Sequence, residues 1–343
     1  MRRIPSILVT GGAGYIGSHV VAQLGEQGER IVVLDNLSTG HSKAVLFGRL
    51  VVGDIGNRKL LAALFREYEF EAVLHFAART VVPESVARPL EYYDCNTARA
   101  RTLMSACVEH GVKYFIFSST AAVYGEPPGG TASEHTSPAP LNPYGRSKLM
   151  TEWMLQDACN ASAMRYVILR YFNVAGCDGA GRIGQDTPGA THLVKVACQH
   201  ATGQRPHLSI YGTDYATQDG TCIRDYIHVE DLADAHLQAL AYLRGNNESL
   251  IANCGYGHGF SVREVLETVR RISGQRLDIR ESERRPGDMA VVVADNSRIR
   301  ARLGWKPTRD DIDLIVNSAL NWERNMTARR TLEGMQCVAR PNQ

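Results

Sequence analysis

Thr10-Gly11-Gly12-Ala13-Gly14-Tyr15-Ile16-Gly17 follows the apolar run Ile7-Leu8-Val9 and opens a helical pattern that lasts to about Gly28. Glycines 12, 14 and 17 have the spacing of a dinucleotide-binding turn, and Gly11 is an extra member. Without side chains the backbone can turn tightly and approach a pyrophosphate, while the helix N-terminus offers N–H groups to it. Asp35 stands 21 residues past Gly14, at the end of the next apolar run, Ile31-Val32-Val33-Leu34. A carboxylate there accepts from both ribose hydroxyls and repels a 2′-phosphate. Asn36 and Leu37 follow it, with no arginine, so NAD is expected over NADP. Asp54, after a third run Leu50-Val51-Val52, is placed for the adenine edge.

The same rhythm continues outward. A helical stretch near 58–69 precedes Ala72-Val73-Leu74-His75-Phe76, and a helix near 97–110 precedes Tyr114-Phe115-Ile116-Phe117. A helix from Tyr144 then leads to Tyr166-Val167-Ile168-Leu169. Continuous apolar runs with helices between them predict an α/β fold, a doubly wound parallel sheet covered on both faces. After about 174 the rhythm breaks. Glycine, aspartate and threonine gather at 176–190 and 212–221, which are loop compositions. Helical patterns return near 190–202, 230–244, 261–273 and 311–323. The expected division is a dinucleotide domain over 1–173, with 224–256 returning to its sheet. A smaller α/β substrate lobe would take 174–223 and 257–325, leaving a polar tail over 326–343.

Composition narrows the function. At 343 residues the chain suits one large domain or two joined lobes. A hydrophobic share of 44% and a charged share of 22% are ordinary for a globular protein. A net charge of +2 argues against nucleic acid as partner, which needs a strongly basic face. No stretch approaches the ~20 apolar residues of a membrane span. Met1-Arg2-Arg3 mimics the head of a signal peptide, but the run that follows is short and breaks at Gly11-Gly12. Cysteines 95, 107, 159, 177, 198, 222, 254 and 337 form no Cys-x-x-Cys pair, so no metal site is signalled. They read as reduced thiols, and the expected location is the cytoplasm.

A second cluster carries the chemistry. Tyr144 and Lys148 are four apart in Pro143-Tyr144-Gly145-Arg146-Ser147-Lys148, one face of a helix. Thr120 ends Ser118-Ser119-Thr120 about two dozen residues earlier. An ammonium beside a phenol favours the phenolate. Moving a phenol from ~10 to ~7 needs about 4 kcal/mol at ~1.4 kcal/mol per unit. A charge about 5 Å away at an effective dielectric of ~20 supplies roughly 3 kcal/mol. Lysine alone is expected nearly to suffice, with an oxidised nicotinamide closing the gap. Tyr-x-x-x-Lys is a weak pattern in isolation, and the cofactor loop gives it meaning.

These residues resemble the extended branch of the short-chain dehydrogenase/reductase family, and within it the UDP-glucose 4-epimerases. The likeness covers roughly 5–325 and rests on Thr10-Gly-Gly-Ala-Gly-Tyr-Ile-Gly-Ser-His19, Leu34-Asp35-Asn36-Leu37, Gly53-Asp54-Ile55, His75-Phe76-Ala77-Ala78 and Pro89-Leu90-Glu91-Tyr92-Tyr93. It extends through Phe117-Ser118-Ser119-Thr120-Ala121-Ala122-Val123-Tyr124-Gly125, Tyr171-Phe172-Asn173 and Arg224-Asp225-Tyr226-Ile227-His228-Val229. The resemblance implies a Rossmann-type NAD lobe, a UDP-sugar lobe, and 4-epimerisation of UDP-glucose and UDP-galactose through a 4-keto sugar. It implies Tyr144 as base, Lys148 as ribose-binding and charge-tuning, and Thr120 as the hydroxyl bridging to the sugar 4-oxygen. Around the cofactor it implies Gly11, Gly14, Tyr15, Ile16, Gly17, Asp35, Asn36, Asp54, Ile55, Phe76, Ala77, Asn96, Ser118 and Tyr171. Around the substrate it implies Asn173, His192, Leu193, Leu208, Tyr211, Arg224, Arg285 and Asp288. It also implies a homodimer built on the helices near 97–110 and 144–160.

Two departures from the family stand out. Many relatives carry lysine where this chain reads Arg79, and some carry a bulky tyrosine where it has Val292. A valine there is expected to admit UDP-N-acetylglucosamine. Family members that dehydrate nucleotide sugars use an Asp-Glu pair where this chain has Ala121-Ala122, so dehydration is not expected. A UDP-pentose or UDP-uronate 4-epimerase would use the same parts. A non-catalytic NAD-sensing protein should have lost the tyrosine or the lysine, and both are present.

Overall fold

Seven apolar runs become the strands of one sheet. The computed structural model describes residues 5–285 and 287–338, with side chains through 328. Met1-Arg2-Arg3, the side chain of Cys337 and the end of the tail, 339–343, lie outside the described residues. The strands are β1 (Ser6–Thr10), β2 (Ile31–Asp35), β3 (Arg49–Val52), β4 (Phe70–His75), β5 (Tyr114–Ser118), β6 (Arg165–Tyr171) and β7 (Leu250–Cys254). Their order is β3-β2-β1-β4-β5-β6-β7, with every pairing parallel. The order reverses between β1 and β4, where the connections leave on opposite faces and a ligand crevice opens at the carboxyl ends.

The principal helices are α1 (Tyr15–Glu26), α2 (Arg58–Glu67), α3 (Arg99–Glu109), α4 (Pro143–Asn160), α5 (Leu193–Ala201), α6 (Val229–Asn246), α7 (Val262–Ser273) and α8 (Ile312–Val338). Successive strand residues point to opposite faces. Ile7, Val9, Val33, Leu74, Ile116 and Leu169 therefore pack on one side, with Val20, Val21 and Leu24 of α1 and Leu232, Ala235 and Leu243 of α6. Leu8, Val32, Leu34, Val73, Phe115 and Ile168 pack on the other, with Leu61 of α2, Leu103 of α3 and Leu155 of α4. Burial on both faces explains why the runs are continuously apolar.

The register aligns the strand ends that carry the site. Thr10 lies opposite His75, His75 opposite Phe117, Ser118 opposite Leu169, and Asp35 opposite Val52. Beyond β6 the sheets are small. Ile223–Arg224 lies between Phe260–Ser261 and Val291–Ala294, and Thr131–Ala132 pairs with the latter. A short stretch of the first half thus lies in a sheet otherwise made by the second. Asn173–Ala175 pairs with Tyr226–His228, and Leu208–Tyr211 with Ile279–Ser282.

Two elements differ from expectation. The helix expected near 97–110 is preceded by helical pieces at Val82–Ala87 and Pro89–Tyr92 and by a π-helical turn, Tyr93–Ala98. The last helix runs to Val338, past the expected end near 323. Its later residues are polar but are mostly good helix formers, and polarity by itself does not stop a helix. Among the described residues no helix is long and apolar enough to cross a membrane.

Candidate active site

The glycine loop is folded against itself and against the end of β4. Gly11 has φ +73°, and a Cβ there would lie 2.5 Å from the Ala77 nitrogen. A Cβ on Gly17 would lie 2.3 Å from the Gly11 carbonyl oxygen. Phe76 and Ala77 both donate N–H bonds to the Thr10 carbonyl, at 2.9 and 3.1 Å. Gly14 caps α1 without a side-chain hydrogen bond and the first turn carries no acid, so the leading N–H groups are open to an anion. The Tyr15 hydroxyl donates to the Gly176 carbonyl at 2.7 Å and ties the loop after β6 to this turn. Ile16 packs against the core beside it.

Asp35 closes the loop from below. Its Oδ2 accepts the Ala13 N–H at 2.9 Å and its Oδ1 the Leu37 N–H at 2.8 Å. An ionised carboxylate offers about four acceptor positions, so two remain for ribose hydroxyls. Asn36 donates to Asp54 at 3.1 Å, and Asp54 also accepts the Gly56 N–H and pairs with Arg99 at 2.5 Å. Ile55 is buried beside it, and the Phe76 ring packs on His236 with centroids 4.8 Å apart. Ser118 Oγ is buried without a partner, an orphan that a ligand hydroxyl or amide would satisfy. The side-chain-free cradle, the open helix start, the half-used carboxylate and this hydroxyl together fit a dinucleotide.

α4 brings the catalytic candidates to the same edge. The Asn142 side chain accepts the Gly145 N–H at 2.9 Å, and Pro143 occupies the first turn, so the helix starts just before Tyr144. Lys148, one turn on, donates to the Ser118 carbonyl at 2.5 Å, and its ammonium sits 4.2 Å from the Phe117 ring centroid. Thr120 caps a short turn over Ala121–Val123, its Oγ1 accepting the Ala122 N–H at 3.1 Å. Thr120 and Tyr144 are both buried at this edge.

The expected depression of Tyr144 by Lys148 is not what the chain's own groups produce. Burial pushes the Tyr144 phenol far above its ordinary value, Tyr171 adds to this, and Thr120 only opposes it. Burial also brings Lys148 down to about 7, with Glu152 pulling back upward. Both groups are desolvated together, so the ammonium loses much of the charge the sequence arithmetic counted on. The Tyr171 phenol is raised by burial as well.

Other expected contacts divide. Asn96 gives its amide to the Arg79 carbonyl at 3.0 Å and to Ser147 Oγ at 3.0 Å, and accepts the Arg79 N–H at 2.8 Å. It anchors the loop after β4 to α4. Arg79 itself is drawn to Glu84 at 3.0 Å and Glu91 at 3.3 Å. The Arg285 guanidinium lies 4.6 Å from the Tyr211 ring centroid and bonds Asp288 at 2.8 Å, so these three stand together. Arg224 bonds only carbonyls, Ile223 at 2.8 Å and Ala290 at 3.5 Å, and no ion pair among the described residues includes it. Asn173 donates its N–H to the Asp225 carbonyl at 2.9 Å. His192 bonds the Gln185 amide at 2.8 Å, and Leu193 follows as the first residue of α5. Leu208 stands apart. It is buried in the large core and its N–H goes to the Asp278 carbonyl, so its side chain packs and does not face a ligand. An apolar residue reads the same in sequence whichever way the pleat turns it.

Residues 7–255 match the NAD dependent epimerase/dehydratase family. The chain belongs to that family. It is 56% identical to a UDP-glucose 4-epimerase of Azospirillum brasilense, with 94% of this chain and 93% of the relative covered. The Brucella ovis UDP-glucose 4-epimerase, solved with NAD, superposes with a TM-score of 0.90 at 42% identity, covering 93% of this chain and 98% of that one. A UDP-Glc/GlcNAc 4-epimerase of Campylobacter jejuni superposes with a TM-score of 0.83 at 47% identity, covering 94% and 100%. This epimerase-family chain is accordingly a Rossmann-type α/β protein that depends on NAD.

One feature of this family member was not legible in its sequence. Glu152 and Arg170 form an ion pair at 2.5 Å with both side chains almost wholly buried. Ser119 Oγ donates to Glu152 at 2.5 Å, and Arg170 reaches the Tyr124 hydroxyl at 3.0 Å, which donates to Asn253 at 2.6 Å. Taking such charges out of water costs several kcal/mol per ion. The only signal was Glu152 falling at the Tyr144-Lys148 spacing, and a helix glutamate ordinarily reads as solvated. A second buried pair, Lys195–Glu323 at 2.5 Å, grips the Gln185 carbonyl, which also accepts from Trp322.

Proposed function

We propose that the chain interconverts UDP-glucose and UDP-galactose by inverting C4 through a transient 4-keto sugar. The observation that carries this is the burial of Tyr144, Thr120 and Lys148 together at the carboxyl edge of the sheet, next to the glycine loop. Thr120 bridges the C4 hydroxyl to Tyr144, which takes its proton and later returns it. Bound NAD, which the glycine loop, Asp35 and Lys148 would hold, would supply the hydride acceptor and donor for C4. Since burial alone holds the Tyr144 proton firmly, ionisation requires the positive charges of Lys148 and the cofactor.

Inversion demands a firm hold on UDP and a loose one on the sugar, which turns about its link to the diphosphate. Among the described residues Arg224 has no carboxylate partner to release, and Arg285 lies exposed over Tyr211; both suit a diphosphate. Asn173, Asp288, His192 and Leu193 complete the proposed UDP side. Asp35 would hold the adenosine ribose and Asp54 the adenine edge. With Ala121 and Ala122 after Thr120 there is no acid to drive elimination. A UDP-pentose or UDP-uronate would be handled by the same groups, and substrate profiling separates them.

Val292 favours an extension of this range. It is buried in a cluster with Ala121, the residue after Thr120, and with Val123, Leu149 and Phe172, and it is smaller than tyrosine. UDP-N-acetylglucosamine is expected to react. No turnover of that sugar beside good turnover of UDP-galactose would remove the extension.

We assign the chain to the cytoplasm, in two lobes, one for NAD and one for the UDP-sugar, and to a homodimer. Met150 and Trp153 on α4 and Val108 on α3 are exposed apolar side chains on the two helices a dimer would use. A sedimentation coefficient of a monomer would exclude the dimer. The function is tested by incubating the purified chain with UDP-galactose. UDP-glucose should form, NAD should accompany the protein, and Tyr144→Phe should lower kcat by about 10³-fold with NAD still bound. A chain that leaves UDP-galactose unchanged overturns the proposal.

A further inference from the structure

Two successive residues at the end of β5 are tied to two successive turns of α4. Lys148 holds the Ser118 carbonyl at 2.5 Å, and Glu152 holds the Ser119 hydroxyl at 2.5 Å. The next residue is Thr120. Tyr144, Lys148 and Glu152 are spaced by four and share a helix face. Arg170, from the neighbouring β6, closes on Glu152 through Nε at 3.0 and 3.2 Å and through a terminal nitrogen at 2.5 Å. Its other terminal nitrogen is fixed by Tyr124. Every charged atom of the pair is met, and the unit spans β5, β6 and α4.

A buried ion pair is weak evidence for stability, since apolar residues of similar volume often serve as well. Its placement one turn from Lys148 calls for another reason. We propose that Glu152, braced by Arg170, is a positioning residue that locks Ser119, and through it Thr120, against the helix carrying Tyr144 and Lys148, and whose carboxylate keeps Lys148 in its ammonium form. This inference rests on the function proposed above.

Few groups compete for Lys148. Tyr144 and Glu152 face it from its own helix, the Cys95 thiol from the π-helical turn, and His75 from β4. Burial keeps His75 neutral, near 3, and Cys95 in its thiol form; Glu152 is the carboxylate that pulls on Lys148, and the Arg170 guanidinium paired with it opposes part of that pull. Burial has already brought Lys148 to about 7. Removing the Glu152 charge makes Lys148 give up its proton at still lower pH.

The test uses the NAD-loaded chain and the variants Glu152→Gln, Ser119→Ala and the double variant E152M/R170M. Two readouts are followed against pH: kcat with UDP-galactose, and the ε-carbon signal of Lys148, one of six lysines, in lysine-labelled protein. With Glu152→Gln the alkaline limb of kcat and the Lys148 titration should both move down by about one pH unit. Ser119→Ala keeps the charge, so kcat should fall about 10-fold with KM and the limb unchanged. An unaltered limb and an unaltered Lys148 titration in Glu152→Gln overturn the electrostatic role, whatever happens to its melting point. Unchanged kcat in Ser119→Ala overturns the tether. Should Glu152→Gln fail to fold, E152M/R170M leaves no unpaired charge but still lacks the Ser119 tether, so its kcat should fall about 10-fold as in Ser119→Ala, and an unchanged kcat overturns the tether. A wild-type chain inactive on UDP-galactose would defeat the functional reading, while the Lys148 titration would still decide this one.

Discussion

At Lys148, burial and function pull in opposite directions. The site needs an ammonium, yet the surrounding protein makes an ammonium expensive and lowers its pKa from the usual lysine range to about 7. The unfolded chain, with lysine near 10.4, binds the proton across the whole interval between. Stability must therefore rise with pH from about 7 to about 10 on account of this one side chain, by up to about 1.4 kcal/mol per unit. Lys148→Met removes the effect. Urea unfolding at pH 7, 8 and 9 should show the parent gaining on Lys148→Met at each step. Parallel curves would mean that the lysine is charged throughout. Tyr144 and Lys148 were legible because their spacing needs only a helix. Their protonation was not, because desolvation depends on what packs over them.

At the scale of elements, the catalytic helix is fixed by its start. Asn142 caps α4 two residues before Tyr144, and Pro143 holds the first turn. Asn142→Ala should cost about 1 kcal/mol of stability. It should also lower kcat more than KM, because the phenol sits in the turn that frays. A change in KM alone would show that the cap serves only the substrate. The strands were legible from continuous apolar runs and α7 from the helical pattern near 261–273, while the capping box that starts it, Ser261 with Glu264, emerged only in the structure. The π-helical turn at Tyr93–Ala98 was not legible. Within it Asn96 reaches Arg79 and Ser147 across the fold, contacts that no local pattern encodes.

For the whole molecule, four histidines are buried neutral. Burial lowers His19 and His236 to about 4 and His75 and His228 to about 3. Unfolded, each would bind a proton below about 6.5. Their contribution is present above that pH and is lost as pH falls toward 4, at about 1.4 kcal/mol per unit for each. The melting point should fall steeply from pH 6.5 to 4.5, and His236→Phe should make the fall shallower; a flat profile would show these rings charged inside the fold. The sequence by itself determined the parallel sheet, the glycine loop, the Asp35 position and the Tyr144-Lys148 pair, because each depends on neighbours close along the chain. Only the tertiary structure decided that Leu208 is core, that Asn96 is an anchor, that Asp54 is shared with Arg99 and that Glu152 is buried against Arg170. Those outcomes depend on which distant surfaces exclude water, and no spacing along a chain records that.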